Sequence, residues 1–174
     1  VRYEYAALLS KCDRYLGLVL DAMDKYNLWE NTMLIVNTDH GFLLGEHGWW
    51  GKTNMPIYEE IAHTPLYIYD PRRRECAGIR RGALVQTIDL APTLLEYFGV
   101  KIPKDMQGKP LKDVMEKDTP IREYAVFGYH GSQVDVTDGR YVYMHSAVNP
   151  EMPVYEYTLM PTHMRAMFST EELQ

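Results

Sequence analysis

The stretch Asn31-Thr32-Met33-Leu34-Ile35-Val36-Asn37-Thr38-Asp39-His40-Gly41 carries the most information in the chain. Met33 to Val36 form a short unbroken apolar run, without polar alternation and too brief for a helix. They read as a strand covered on both faces. Asn37 to His40 end that strand in polar groups, and Gly41 lets the chain turn away without a Cβ clash. In α/β sheets, ligand sites lie at this carboxyl end of a strand. Upstream, Leu9, Cys12, Leu16, Val19, Leu20 and Met23 recur at three- and four-residue steps. They predict an amphipathic helix over 3–26, with Cys12 a buried thiol on its stripe. A long helix feeding a buried strand is the pattern of an α/β fold with a mostly parallel sheet.

Downstream, a loop rich in Gly, His and Trp occupies 39–55, and Pro65-Leu66-Tyr67-Ile68-Tyr69 reads as the next strand of that sheet, stopped by Asp70-Pro71. Arg72-Arg73-Arg74 and Arg80-Arg81 read first as a solvated loop and second as an anion patch. Asp89 to Phe98 reads as a helix stopped by Gly99. Past residue 101 the pattern changes. Tyr124–Tyr129, Gln133–Thr137 and Tyr141–His145 read as short strands, the last two joined at Asp138-Gly139, a hairpin turn dipeptide. A division follows, into 1–105 as α/β core and 106–174 as a small antiparallel subdomain with a tail. The Met- and Pro-rich stretch Asn149–Gln174 receives no element.

Composition narrows the function. With 174 residues, 46% hydrophobic and 24% charged, the chain is globular rather than disordered or collagen-like. Its net charge of −6 argues against electrostatic nucleic-acid binding. No apolar run approaches the roughly 18 residues of a membrane span. The first residue is Val1, so targeting is not legible, and the compartment stays open between cytoplasm and periplasm or exterior. Cys12 and Cys76 allow at most one disulfide. The 14 tyrosines fit half-buried strand edges or a sugar-facing surface.

An Asp carboxylate beside a His imidazole can hold a divalent cation from one turn, although Asp-His-Gly alone also fits a strand-ending turn that caps its own backbone. Gly45-Glu46-His47-Gly48 adds further polar groups, and Gly51-Lys52 an ammonium. A metal together with a fixed lysine is what hydrolysis of an anionic ester needs. Lys52 lies next to Trp49, Trp50 and Gly51, an unusual setting for a purely solvated lysine. The alternative is a stem laid over the indoles. For His47, a general acid and a core-edge histidine bonded to backbone are both open readings.

The order of these blocks resembles the sulfatase family of the alkaline-phosphatase-like superfamily. The resemblance runs through 31–41, through Leu44-Gly45-Glu46-His47-Gly48-Trp49-Trp50-Gly51-Lys52, through Tyr58-Glu59-Glu60 with Thr64-Pro65-Leu66, and through Gln86–Leu95. It implies an alkaline-phosphatase-like sheet with flanking helices. It implies Asp39 and His40 as ligands of one divalent metal, Ca²⁺ or Mg²⁺, with Mn²⁺ or Zn²⁺ admitted by the imidazole. It implies Lys52 as sulfate contact, and His47 and His63 as candidates for protonating the leaving alcohol or binding substrate, His47 first. Asp39-His40, where many sulfatases carry Asp-Asn, resembles the branch of choline-sulfatases and phosphonate monoester hydrolases. The family's Cys-x-Pro-x-Arg motif, whose Cys becomes formylglycine, precedes the metal motif. Nothing before Asp39 matches it, and Cys76-Ala77-Gly78-Ile79-Arg80 lies on the wrong side with Gly in place of Pro. The chain therefore reads as a C-terminal portion of a sulfuric ester hydrolase, inactive alone, whose substrate is a small sulfate ester or sulfated glycan. A phosphonate or phosphate ester hydrolase and a non-catalytic binding domain are the alternative readings.

Overall fold

The computed structural model describes residues 1–129, 131–149 and 171. The tail left without an element lies outside them from Pro150 on, apart from Glu171. Helix α1 spans Arg2–Lys25, as its periodicity predicts. A 3-10 turn at Leu28–Glu30 leads into strand β1, Leu34–Asn37. Strands β2 (Leu43–Leu44) and β3 (Trp50–Gly51) form a tight hairpin, and the short helix α2 covers Glu59–Ala62. Strand β4 is Leu66–Tyr69, helix α3 Leu90–Tyr97 and helix α4 Lys112–Lys117. Strands β5 (Ala125–Gly128), β6 (Gln133–Thr137) and β7 (Val142–Ser146) close the described chain.

The expected parallel sheet is corrected in one respect. β1 and β4 are partners, but antiparallel, with Leu34 opposite Tyr69 and Asn37 opposite Leu66. A parallel return needs a long crossover, usually a helix over the sheet. Between these strands the chain builds only the β2–β3 hairpin and the four residues of α2, so it comes back head to tail. All three sheets among the described residues are antiparallel. β1 is half-buried rather than covered on both faces. α1 does not cover the sheet with its stripe either: Leu9 is 62% and Val19 48% exposed, Cys12 is exposed rather than buried, and Met23 alone is buried.

The late hairpin follows its sequence. β5, β6 and β7 pair in order, and the Asp138 carboxylate accepts from the N–H groups of Arg140 and Tyr141, closing the turn with Gly139 at φ 87°. The basic run is solvated only in part: Arg74 and Arg80 are exposed, whereas Arg73 and Arg81 are half-buried. Arg72 and Arg73 both bond the buried Asp70 carboxylate, and Arg73 also bonds Glu116. Asp89 at the start of α3 is fully buried. It accepts two bonds from Arg122, at 2.5 and 2.6 Å, and one each from the N–H groups of Gln86 and Lys109.

The hydrophobic core that matters for the site is Leu43, Met55, Ile57 and Ile61, with Tyr58, Ala62, Phe127 and Tyr129 packed against it. Leu43 is fully buried and starts the hairpin that carries Lys52. The loop rich in Gly, His and Trp thus stands on a floor shared by α2 and by the last sheet.

Candidate functional site

Asp39 and His40 leave the end of β1. The Asp39 carboxylate accepts from the His40 backbone N–H at 2.9 Å and from the Thr38 hydroxyl at 3.3 Å. The His40 N–H chiefly holds this carboxyl below its usual range; desolvation works against it, and the adjacent imidazole and Thr38 add to the lowering. Asp39 therefore stays an anion down to lower pH than a free aspartate. In His40, Nδ1 lies 3.1 Å from the Gly41 carbonyl, which only accepts. In the neutral ring this puts the proton on Nδ1 and leaves Nε2 as a lone pair. That Nε2 lies 3.2 Å from Asp39 Oδ2. One oxygen and one nitrogen donor therefore converge.

Gly41 fixes this turn in place. Its N–H donates to the Ile61 carbonyl at 2.8 Å, and a Cβ here would sit 1.7 Å from the Glu60 carbonyl oxygen. Any side chain would force the turn carrying Asp39 and His40 away from α2.

Lys52 follows β3, where Gly51 at φ 111° pairs with Leu43. Its Nζ contacts His40 Nε2, and the hydroxyl of Tyr129 donates to its backbone carbonyl. Twelve residues of separation collapse to a contact because the β2–β3 hairpin folds the loop back on β1. Trp50 lies under the Arg2 guanidinium, 5.3 Å from its ring centre, and Arg2 Nε donates to the Leu44 carbonyl at 2.7 Å. Glu46 stabilises the same bend: its carboxylate accepts from its own N–H and that of Leu44, which holds it below its usual range.

His47 adopts a left-handed backbone, φ 54°, uncommon for a residue with a Cβ. Its ring stacks on Tyr58 with centres 3.9 Å apart and a 12° tilt, and Nε2 lies 3.2 Å from Glu60 Oε1. The ring of His47 thus meets two side chains of the segment that leads into and forms α2. His63 lies apart from this group. Its Nδ1 bonds Glu59 at 2.8 Å across an exposed helical pair, and it touches none of Asp39, His40, His47 or Lys52. Asp39, His40 and Lys52 thus come together, with His47 on the same hairpin.

Three residues of the site were not singled out by chemistry in the sequence. Tyr58 and Glu60 lie in a block that carries the family resemblance, and helical spacing from the buried Ile61 could have marked Tyr58, three positions before it. Tyr129 has no local signal, because its contact bridges 77 residues.

The donor set fits part of a divalent-metal site, carboxylate oxygen plus imidazole nitrogen. Among the described residues no group of three or more His, Cys, Asp or Glu converges, so Asp39 and His40 would supply two ligands of a larger set. No helix among them is long and apolar enough to cross a membrane.

The chain is 37% identical over 131 residues to an N-acetylglucosamine-6-O-sulfatase of Bacteroides thetaiotaomicron, a match covering 73% of this chain and 23% of that protein. It is 28% identical over 160 residues to a choline-sulfatase of Rhizobium meliloti, covering 86% and 30%. It spans about a quarter of the length of the curated relatives it matches. Among solved structures it is similar to a phosphonate monoester hydrolase from Silicibacter pomeroyi, with TM-score 0.64, 26% identity, and 77% of this chain and 30% of that one covered. A second is described as a complex with its substrate D-glucosamine-2-N,6-O-disulfate, with TM-score 0.59, 30% identity, and 76% and 29% covered. Residues 45–171 match the family described as N-sulphoglucosamine sulphohydrolase, C-terminal, and the chain therefore belongs to the sulfatases of the alkaline-phosphatase-like superfamily.

Proposed function

We propose that these residues form the metal-and-lysine side of an active site that hydrolyses sulfate esters. Asp39 and His40 hold one divalent cation, Lys52 contacts the sulfate, and the nucleophile, a formylglycine, comes from elsewhere in the protein. The supporting observation is the meeting of Lys52 Nζ with His40 Nε2 beside Asp39, at a strand end, in a chain of sulfatase family. The bound cation would act as a Lewis acid toward the ester oxygens. The chain's own groups do the rest. The Asp39 anion and the His40 lone pair wait in register, kept so by the N–H of His40 and the carbonyl of Gly41. The Lys52 ammonium neutralises a non-bridging oxygen of the bound anion. His47 is the acid for the departing alcohol, with Glu60 and Tyr58 fixing its ring. His63 contacts substrate at the exposed outer side. A small sulfate ester or a sulfated glycan is the substrate class, in keeping with the relatives that carry such names.

A second reading, a phosphonate or phosphate ester hydrolase, is favoured by the Asp39-His40 pair and by the likeness to the phosphonate monoester hydrolase. Steady-state rates of the intact protein on an aryl sulfate and an aryl phosphonate separate the two, the larger kcat/KM naming the reaction. Lys52→Ala is expected to cost on the order of 10²–10³ in kcat/KM on the preferred ester, with both KM and kcat affected, since the charge it meets is present in substrate and grows in the transition state. Unchanged values on both esters would remove Lys52 from the site.

A further inference from the structure

A lysine at the end of a hairpin has a flexible four-carbon stem, so the place of its ammonium depends on how firmly its backbone is held. The β2–β3 ladder ends at Gly51, and Lys52, Thr53 and Asn54 are exposed before Met55 enters the core. Between those two anchors, the Lys52 carbonyl is bonded by the Tyr129 hydroxyl. The hydroxyl comes from the other end of the chain, and its own position is fixed from three sides. The Tyr129 N–H donates to the Gln133 carbonyl at 3.0 Å. Its ring packs against the Leu43–Met55–Ile57–Ile61 core, beside Phe127 on the same face of the sheet. Gly128 between them runs so close to the facing strand that a Cβ would meet the Gln133 oxygen at 2.2 Å. The β5–β6 hairpin is thus seated tightly enough to place one phenol on one carbonyl.

We propose that Tyr129 is a positioning residue for Lys52, so that the last sheet belongs to the active site instead of being an appendage. This rests on the reading of Lys52 as the contact for the anionic ester. The ring of Tyr129 supplies packing and its hydroxyl supplies register. Removing the oxygen alone therefore separates the two contributions.

The test uses the intact protein in four forms: wild type, Tyr129→Phe, Lys52→Ala and the double variant. Hydrogen exchange of the peptide containing 50–55 is followed by mass spectrometry, and kcat/KM is measured on an aryl sulfate. The proposal expects exchange of that peptide to quicken in Tyr129→Phe while the rest of the protein is unchanged. It expects kcat/KM to fall about tenfold in the wild-type background and by less than about twofold where Lys52 is already alanine. An equal loss in both backgrounds means the hydroxyl serves general stability, and overturns the proposal. Unchanged exchange at 50–55 overturns it whatever the rates. If Lys52→Ala leaves kcat/KM intact, the reading of Lys52 has failed. Quickened exchange would then still show that Tyr129 holds the loop, but its catalytic purpose would be overturned.

Discussion

At the scale of single residues, the site depends on where protons sit. The carbonyl of Gly41 fixes the His40 tautomer, and the lone pair it exposes on Nε2 is what both a cation and the Lys52 ammonium can use. The Asp39 carboxyl, lowered mainly by the His40 N–H, loses its charge only at more acid pH than a free aspartate. Calorimetric titration of this 174-residue chain with Mn²⁺ or Ca²⁺ is expected to show weak binding, since among the described residues only Asp39 and His40 converge. Asp39→Ala is expected to abolish it. Tight binding untouched by that substitution would place the metal elsewhere. That Asp39, His40 and Lys52 lie together was legible from residue type and order. Tyr129 was not, because a phenol that serves a distant carbonyl leaves no pattern in its own neighbourhood.

Among elements, the ion pair between Asp89, which precedes α3, and Arg122, in the segment between α4 and β5, makes the fold sensitive to acid. Burial pushes the Asp89 carboxyl up, and the Arg122 guanidinium with the N–H groups of Lys109 and Gln86 more than reverses it, leaving it below its usual range. A carboxyl depressed in the folded state contributes stability above its unfolded pKa, about 3.9, and that contribution is lost as pH falls through the folded value. The melting temperature is expected to hold from neutral pH to about 4 and to drop steeply below. Arg122→Ala is expected to cost about 3–5 kcal/mol at neutral pH, because it strands a buried carboxylate, and to flatten that acid limb. Thermal melts from pH 2 to 7 read both. Element identity was legible wherever local chemistry specifies it, as in α1, in the Asp138-Gly139 hairpin and at the Gly99 stop of α3. Strand direction was not. Antiparallel pairing of β1 with β4 depends on how the chain between them is spent, and the apolar run of β1 reads the same in either sense.

Across the whole molecule, the apolar stripe of α1 is covered only towards its C-terminal end, at Met23; Leu9 on the stripe is 62% and Val19 48% exposed, with Leu8 and Leu18 exposed beside them. A stripe of that kind marks a contact surface. The 174-residue chain by itself is expected to bind the dye ANS and to self-associate, and Leu9→Glu with Val19→Glu is expected to reduce both without loss of helical circular dichroism. No loss of dye binding would show that the stripe is not the sticky surface. The web around Asp70 has a different consequence, for proteolysis. To an enzyme that cuts after arginine, Arg72-Arg73-Arg74 and Arg80-Arg81 offer a dense cluster of targets on a surface segment. Arg72 and Arg73 are tied to Asp70, Arg73 is 11% exposed at its side chain, and Arg81 bonds the carbonyls of Met115 and Glu116. Arg74 and Arg80 lie exposed on either side of Cys76. Brief trypsin treatment should therefore cut first after Arg74 or Arg80, leaving two fragments that stay together through Asp70, Arg73 and Glu116 until the protein is unfolded.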